Sequence, residues 1–115
     1  MTKKPIMTIS YIGKDKYIAL NKYSILALGE PRHICMLIRS DKQAIAFVPC
    51  KEKHVMSFKV HENYSDSKNL EFKIWSKGFV EQLVRVNNLE TEKSHYIEGA
   101  YDEAKNIIEF PINVA

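Results

Sequence analysis

The sequence has no long apolar run, no secretory leader pattern and no catalytic signature, and each absence removes a class of function. No apolar stretch approaches the roughly 20 residues that a helix needs to span a bilayer. The opening residues, Met1-Thr2-Lys3-Lys4-Pro5, are basic but lack the apolar stretch of a signal peptide. There is no GxSxG elbow, no glycine-rich phosphate loop and no HExxH pair. Cysteine is scarce: Cys35 and Cys50 have no CxxC spacing and read as reduced, buried thiols of a cytoplasmic protein. The four histidines, His33, His54, His61 and His95, fall across turns and strand ends at no spacing that a metal demands. Glu90, Glu92, Glu98, Asp102 and Glu103 include candidate carboxylate pairs, but a solvated acidic surface accounts for them. No catalytic residue, no metal site and no cofactor is expected.

What is present describes an ordinary globular chain. Of 115 residues, 45% are hydrophobic and 27% charged, enough for one domain, residues 1–115, around a single modest core. The stretch from Lys16 to Pro49 organises it. Tyr17, Ile18 and Leu20 make a short strand, and Asn21 offers a side-chain oxygen to cap the free N–H groups of a helix. Tyr23 with Leu26, and Ile25 with Leu28, have the i, i+3 spacing of one helical face. Gly29 can close that helix in the left-handed conformation, and Pro31 cannot prolong it. Ile34–Arg39 and Ala44–Val48 then form a hairpin about the turn Ser40-Asp41-Lys42. The unit is β-α-β-β.

The same order recurs from Glu71. A strand ends at Trp75, Ser76 stands as the cap where Asn21 stood, and Phe79, Val80, Leu83 and Val84 form a helical face. Tyr96–Tyr101 and Ile107–Phe110 make the second hairpin about the turn Asp102-Glu103. Ile45-Ala46-Phe47-Val48-Pro49 and Ile107-Ile108-Glu109-Phe110-Pro111 close the two units alike. The helices are offset by 55 positions and the closing strands by 62, so the second unit carries seven extra residues. Internal duplication, with copies at residues 6–50 and 71–112, and coincidence both fit so few identities. A strand Ile6–Ile12 precedes the first copy. An alternating strand over 54–60 and the polar loop 61–69 join the two. The expected class is α+β, mainly antiparallel strands with two short helices. Trp75 is expected to anchor the second helix to the sheet.

Net charge is only +3, but residues 1–60 carry 11 Lys/Arg against 4 Asp/Glu, and residues 61–115 carry 6 against 10. A basic half suits an acidic partner such as nucleic acid. Two oppositely charged halves attracting each other within one fold would explain the same numbers. Tyr11, Tyr17 and Tyr23 stand near Lys14, Lys16 and Lys22. They make either a basic surface with stacking rings for single strands or ordinary rim packing.

A strand, a capped short helix closing in Leu28-Gly29, and a hairpin with a polar turn resemble the AbrB/MazE/MraZ swapped-hairpin family. The match covers Lys16–Leu20, Asn21–Gly29, Ile34–Arg39 and Ala44–Val48. That resemblance implies a swapped-hairpin-like barrel, formed by a homodimer or, with tandem copies, by a monomeric pseudo-dimer. It also implies DNA binding as a transcriptional regulator or antitoxin. The family's strand commonly ends in Ile-Pro or Leu-Pro; here Asn21 follows Leu20 and Ser76 follows Trp75. The positions matching its DNA-contacting residues are Lys14, Lys16 and Lys22, with Lys73 and Lys77 in the second copy, and Arg32 and Arg39 flank them. Lysine at these places serves phosphate contact rather than bidentate reading of guanine. The rival reading is a non-enzymatic protein-interaction module that presents Glu81, Glu90, Glu92, Glu98 and Glu103 to a basic partner, or an exposed strand edge to a partner strand.

Overall fold

The computed structural model describes residues 4–29, 31–39, 41, 43–50, 57–59 and 71–114. Ser40 and Lys42, the strand residues 54–56 and 60 with His54, and the loop 61–69 with His61 lie outside the described residues. The chain runs β1 (Ile6–Ile12), β2 (Asp15–Asn21), α1 (Lys22–Ala27), β3 (His33–Arg39), β4 (Ala44–Cys50), β5 (Ser57–Lys59) and β6 (Glu71–Trp75). It continues through α2 (Lys77–Val86), β7 (Lys93–Glu98), β8 (Ala100–Asp102) and β9 (Ile107–Pro111). This is an α+β fold of antiparallel strands and two short helices. The described strands do not close into the expected barrel. They form a four-stranded sheet, β6-β2-β1-β7, and a five-stranded sheet, β5-β3-β4-β9-β8.

One core lies between the sheets. Met7 and Ile9 of β1, Ile18 and Leu20 of β2 and Ile74 of β6 supply it from the first sheet. Ile34 of β3, Ile45 and Phe47 of β4, and Ile108 and Phe110 of β9 supply it from the second. Phe47 and Phe110 meet edge to face with ring centroids 5.8 Å apart, an arrangement worth roughly 0.5–1.5 kcal/mol beyond burial. The helices close the gap with Ile25 and Leu28 beside α1, and Val80, Leu83 and Val84 of α2. A short C-terminal strap follows β9: Asn87 Nδ2 donates to Asn113 O at 2.8 Å, Asn87 Oδ1 accepts from Asn113 N at 3.1 Å, and Ile112 and Val114 are buried.

The end of β2 shows how local chemistry sets the chain's path. Asn21 Oδ1 accepts from Ser24 N at 3.2 Å, capping α1 as the sequence implies, and from Ser24 Oγ at 2.7 Å. The same oxygen accepts from Ile6 N at 3.0 Å, and Asn21 Nδ2 donates to Lys4 O at 2.8 Å. One carboxamide therefore starts a helix and ties down the beginning of β1. Gly29 has φ +85°, the left-handed conformation expected after α1. Ser76 occupies the N-cap position of α2 but makes no side-chain cap bond, unlike Asn21.

The second hairpin departs from expectation. The single strand read over Tyr96–Tyr101 is two strands: β7 pairs with β1 in the first sheet, and β8 pairs with β9 in the second. The chain changes sheets at Gly99, whose N–H donates to Pro5 O at 2.9 Å. A Cβ there would stand 2.6 Å from Cε1 of the buried Phe110 ring, so only glycine lets the backbone cross so close to the core. The turn spans residues 103–106 rather than Asp102-Glu103. Asp102 Oδ1 accepts from Ala104 N at 3.1 Å to set it.

The cysteines also differ from expectation. Cys35 and Cys50 are joined in a disulfide, with Cα atoms 6.1 Å apart. In the β3–β4 register Cys35 faces Val48, so Cys50 is its diagonal neighbour on the same sheet face, within reach of a bridge. Fifteen positions of sequence separation conceal that adjacency. Such a bond persists in an oxidising compartment; in a reducing one the pair would be the two thiols expected from the sequence.

Two substitutions test these contacts. Gly99→Ala should destabilise the protein by about 1–3 kcal/mol through overpacking against Phe110, read as a lower urea midpoint at unchanged slope. An unchanged midpoint would mean the Phe110 ring yields freely. Asn21→Ala should cost at least the ~1–2 kcal/mol of a lost cap, because it also strands Ile6 N–H and Lys4 C=O. Asn21→Asp, which keeps the acceptor but loses the amide donor, should recover only part of the loss in the same titration.

Candidate nucleic-acid interface

Alternation along the first sheet decides which side chains reach solvent. Successive residues of a strand point to opposite faces. Ile18 and Ile74 face one another on the core side, so Tyr17 and Trp75, the next registered pair, face outward. Trp75 is 60% exposed and does not anchor α2 to the sheet; Ile74, at 4% exposure, has the inward place. The Phe-Lys-Ile-Trp order of residues 72–75 carries this signal at period two. The Tyr17 and Trp75 rings lie 4.8 Å apart, tilted by 52°. Lys73 Nζ stands 4.7 Å above the Tyr17 ring and 5.9 Å from that of Trp75.

The next outward row runs Lys73, Ala19, Thr8, Tyr96 across all four strands. Tyr96 is 71% exposed, while Ala19 and Ser10 are buried. The outer face is thus a shallow floor of small residues, with Tyr17, Trp75 and Lys73 along one side and Tyr96 on the other. Tyr11, by contrast, packs against the core cluster, and Lys16 Nζ lies 4.6 Å from its ring centroid.

The seven basic residues singled out from the sequence divide among four places. Lys14 in the β1–β2 turn, Lys16 at the start of β2, Lys73 on β6 and Lys77 at the start of α2 lie toward one end of the first sheet, Lys73 on the face of Tyr17 and Trp75 and Lys16 on the opposite face beside Tyr11. Lys22 begins α1 at the other end of β2, six residues and about 20 Å of strand away from Lys16. Arg32 lines a shallow depression with Leu28, Pro31, Pro49, Cys50 and Asn106. Arg39 lies on the second sheet, where its Nη1 is 3.1 Å from Glu109 Oε1.

Acidic groups sit close to the lysine cluster. Asp15 shares its turn, and Glu92 Oε2 accepts from Gly13 N at 2.8 Å. Glu90 lies 3.2 Å from Lys93 near the same end, whereas Glu98 lies 3.7 Å from Lys4 at the far end of β1. Basic and acidic halves of the sequence do not form two faces, because β6 and β7 flank β2 and β1, and β9 and β8 extend β4. Among the described residues no three His, Cys, Asp or Glu side chains converge as a metal site, and no helix is long and apolar enough to cross a membrane.

Comparison with known proteins adds no assignment: no family model, curated protein or solved structure matches this chain.

As the only tryptophan, Trp75 reports this surface directly. Its native emission should be red-shifted and quenched by iodide nearly as strongly as in the unfolded chain, and more strongly than by caesium because Lys73 is adjacent. Blue-shifted emission resistant to iodide would show a ring packed as an anchor.

Proposed function

We propose that this protein is a small DNA-binding module without chemistry of its own, a transcriptional regulator or antitoxin-like protein, that meets the phosphate backbone at the lysine-rich end of its first sheet. The observation that carries this reading is that Lys14, Lys16, Lys73 and Lys77, from several elements, lie toward one end of the first sheet, where the Trp75 ring is exposed. Lys14 and Lys77 make no ion pair with another described residue. Lysine contacts of this kind supply affinity by releasing counterions, and they carry little sequence information.

The strand pairing supports a tandem swapped-hairpin reading. The strands before the two helices, β2 and β6, are antiparallel neighbours, and so are the closing strands β4 and β9. Two copies related by a two-fold axis would pair in this way, the arrangement of a monomeric pseudo-dimer. The copies are unequal, since β1 and β7 both lie on the β2 side of that axis. A cytoplasmic location belongs to this reading, and there Cys35 and Cys50 would be reduced.

Fluorescence anisotropy with a random duplex provides the test. Four lysine contacts give a log–log salt slope of about −3.6, or roughly 100-fold weaker binding at 200 mM than at 50 mM salt. Replacing Lys14 and Lys77 together by Gln should reduce the magnitude of the slope by about 2. No binding at 50 mM salt, or a slope unmoved by both replacements, would overturn the assignment.

A further inference from the structure

We infer that the outward face of the first sheet is a stacking platform for unpaired bases, so that the nucleic acid this protein prefers is a single strand. This rests on the nucleic-acid reading above and specifies which form of the ligand the same surface takes.

Among the described residues no element projects from the outward face. Reading a duplex in its major groove takes a protruding helix or two-stranded ribbon. Here the buried faces of both helices join the core side, with Ile25, Val80, Leu83 and Val84 in the same cluster as Ile9 and Ile18. The outward side is a four-stranded antiparallel surface floored by Thr8, Ser10 and Ala19. What rises from it is aromatic: Trp75 at 60% exposure and Tyr96 at 71%, with Tyr17 against Trp75.

Exposed rings on a four-stranded sheet suit the flat faces of bases, and those faces are available only where bases are unpaired and unstacked. Two strand spacings separate Tyr96 on β7 from Ala19 on β2, about 10 Å, and Lys73 lies one spacing further. Different bases of one strand can therefore meet the two sides of the floor.

Charge selects nucleic acid over a neutral stacking ligand such as a sugar. Lys73 is held against both rings, with its ammonium 4.7 Å from one ring centroid and 5.9 Å from the other. A base stacked on Trp75 brings its phosphate within reach of that ammonium. Lys77 follows Trp75 by two residues, at the start of α2. Stacking and phosphate contacts thus come from the same few positions, the combination that non-specific single-strand binders use.

The experiment titrates the intact protein with oligothymidylate of 12 nucleotides and with a 12-base-pair duplex at 50 mM salt, following anisotropy of the labelled nucleic acid and Trp75 emission together. The single strand should bind more tightly than the duplex despite its lower charge, and it should quench Trp75. Trp75→Ala should weaken single-strand binding by about 5- to 150-fold, the range for loss of one stacking ring. Trp75→Phe should retain most of the affinity, and neither change should alter the salt slope. Because Trp75 is exposed, both variants should fold, which circular dichroism checks. Equal or tighter duplex binding, or Trp75→Ala binding the single strand as well as the parent, would overturn the platform while leaving the lysine reading intact. Failure of both nucleic acids to bind would overturn both.

Discussion

Strand β2 lies between β1 and β6, and the rest of the molecule depends on the register it keeps with them. Ile18 must face Ile9 and Ile74, and Leu20 must face Met7 and Phe72, for the first sheet to offer a continuous apolar face to the second. A slip of one residue would turn Tyr17 and Ala19 into the core and expose Ile18 and Leu20. The surface features follow from the same constraint. Once the isoleucines are inside, Tyr17, Lys73 and Trp75 can only be outside, and on one face. The end of β2 is set as well, because Asn21 caps α1 and holds the entry to β1 with one carboxamide.

Both sheets draw strands from both halves of the chain. β6 and β7 complete the first sheet, and β9 and β8 extend the second beside β4. β4 is consequently covered over most of its length: Ala44, Ile45, Ala46 and Phe47 are all buried. Alternation in sequence does not produce this, since Ala44 and Ala46 sit on the face opposite Ile45 and Phe47. Small side chains there let larger neighbours, Leu37 and the Arg39–Glu109 pair, close over them. The interleaving also dissolves the charge asymmetry of the linear sequence. Lys4 reaches Glu98, and Arg39 reaches Glu109, so the acidic half of the sequence partly neutralises the basic half in space.

What remains unneutralised is local. The lysines at this end of the first sheet come from the β1–β2 turn, from β2, from β6 and from α2, and each element is positioned by core residues rather than by the lysines themselves. A surface built in this way is rigid before any ligand arrives. Ordering its side chains on binding then costs less than ordering a loop would. The proposed functions draw on that rigidity: phosphate contact needs the lysines, and base stacking needs the rings held at a fixed tilt.

Features governed by neighbours in sequence are legible in the sequence itself. The cap at Asn21, the left-handed Gly29, the helical spacing of Val80, Leu83 and Val84, and the β3–β4 hairpin each depend on interactions within a few residues, and the fold has them. The lysines can be named from the sequence but not grouped, because Lys16 and Lys73 become neighbours only when β2 pairs with β6. The break at Gly99 is hidden for the same reason: the ring that forbids a Cβ there belongs to Phe110, eleven residues on. Trp75 reads as an anchor although its alternation with Ile74 is in plain view, since a large aromatic residue beside a helix suggests core until the sheet shows which face is already filled. The Cys35–Cys50 pairing needs the hairpin register. By itself, then, the sequence determined the short-range elements and the period-two faces of the strands. Only the tertiary structure decided which strands pair and which face meets the second sheet, because those choices depend on burying apolar surface contributed by segments far apart in the chain.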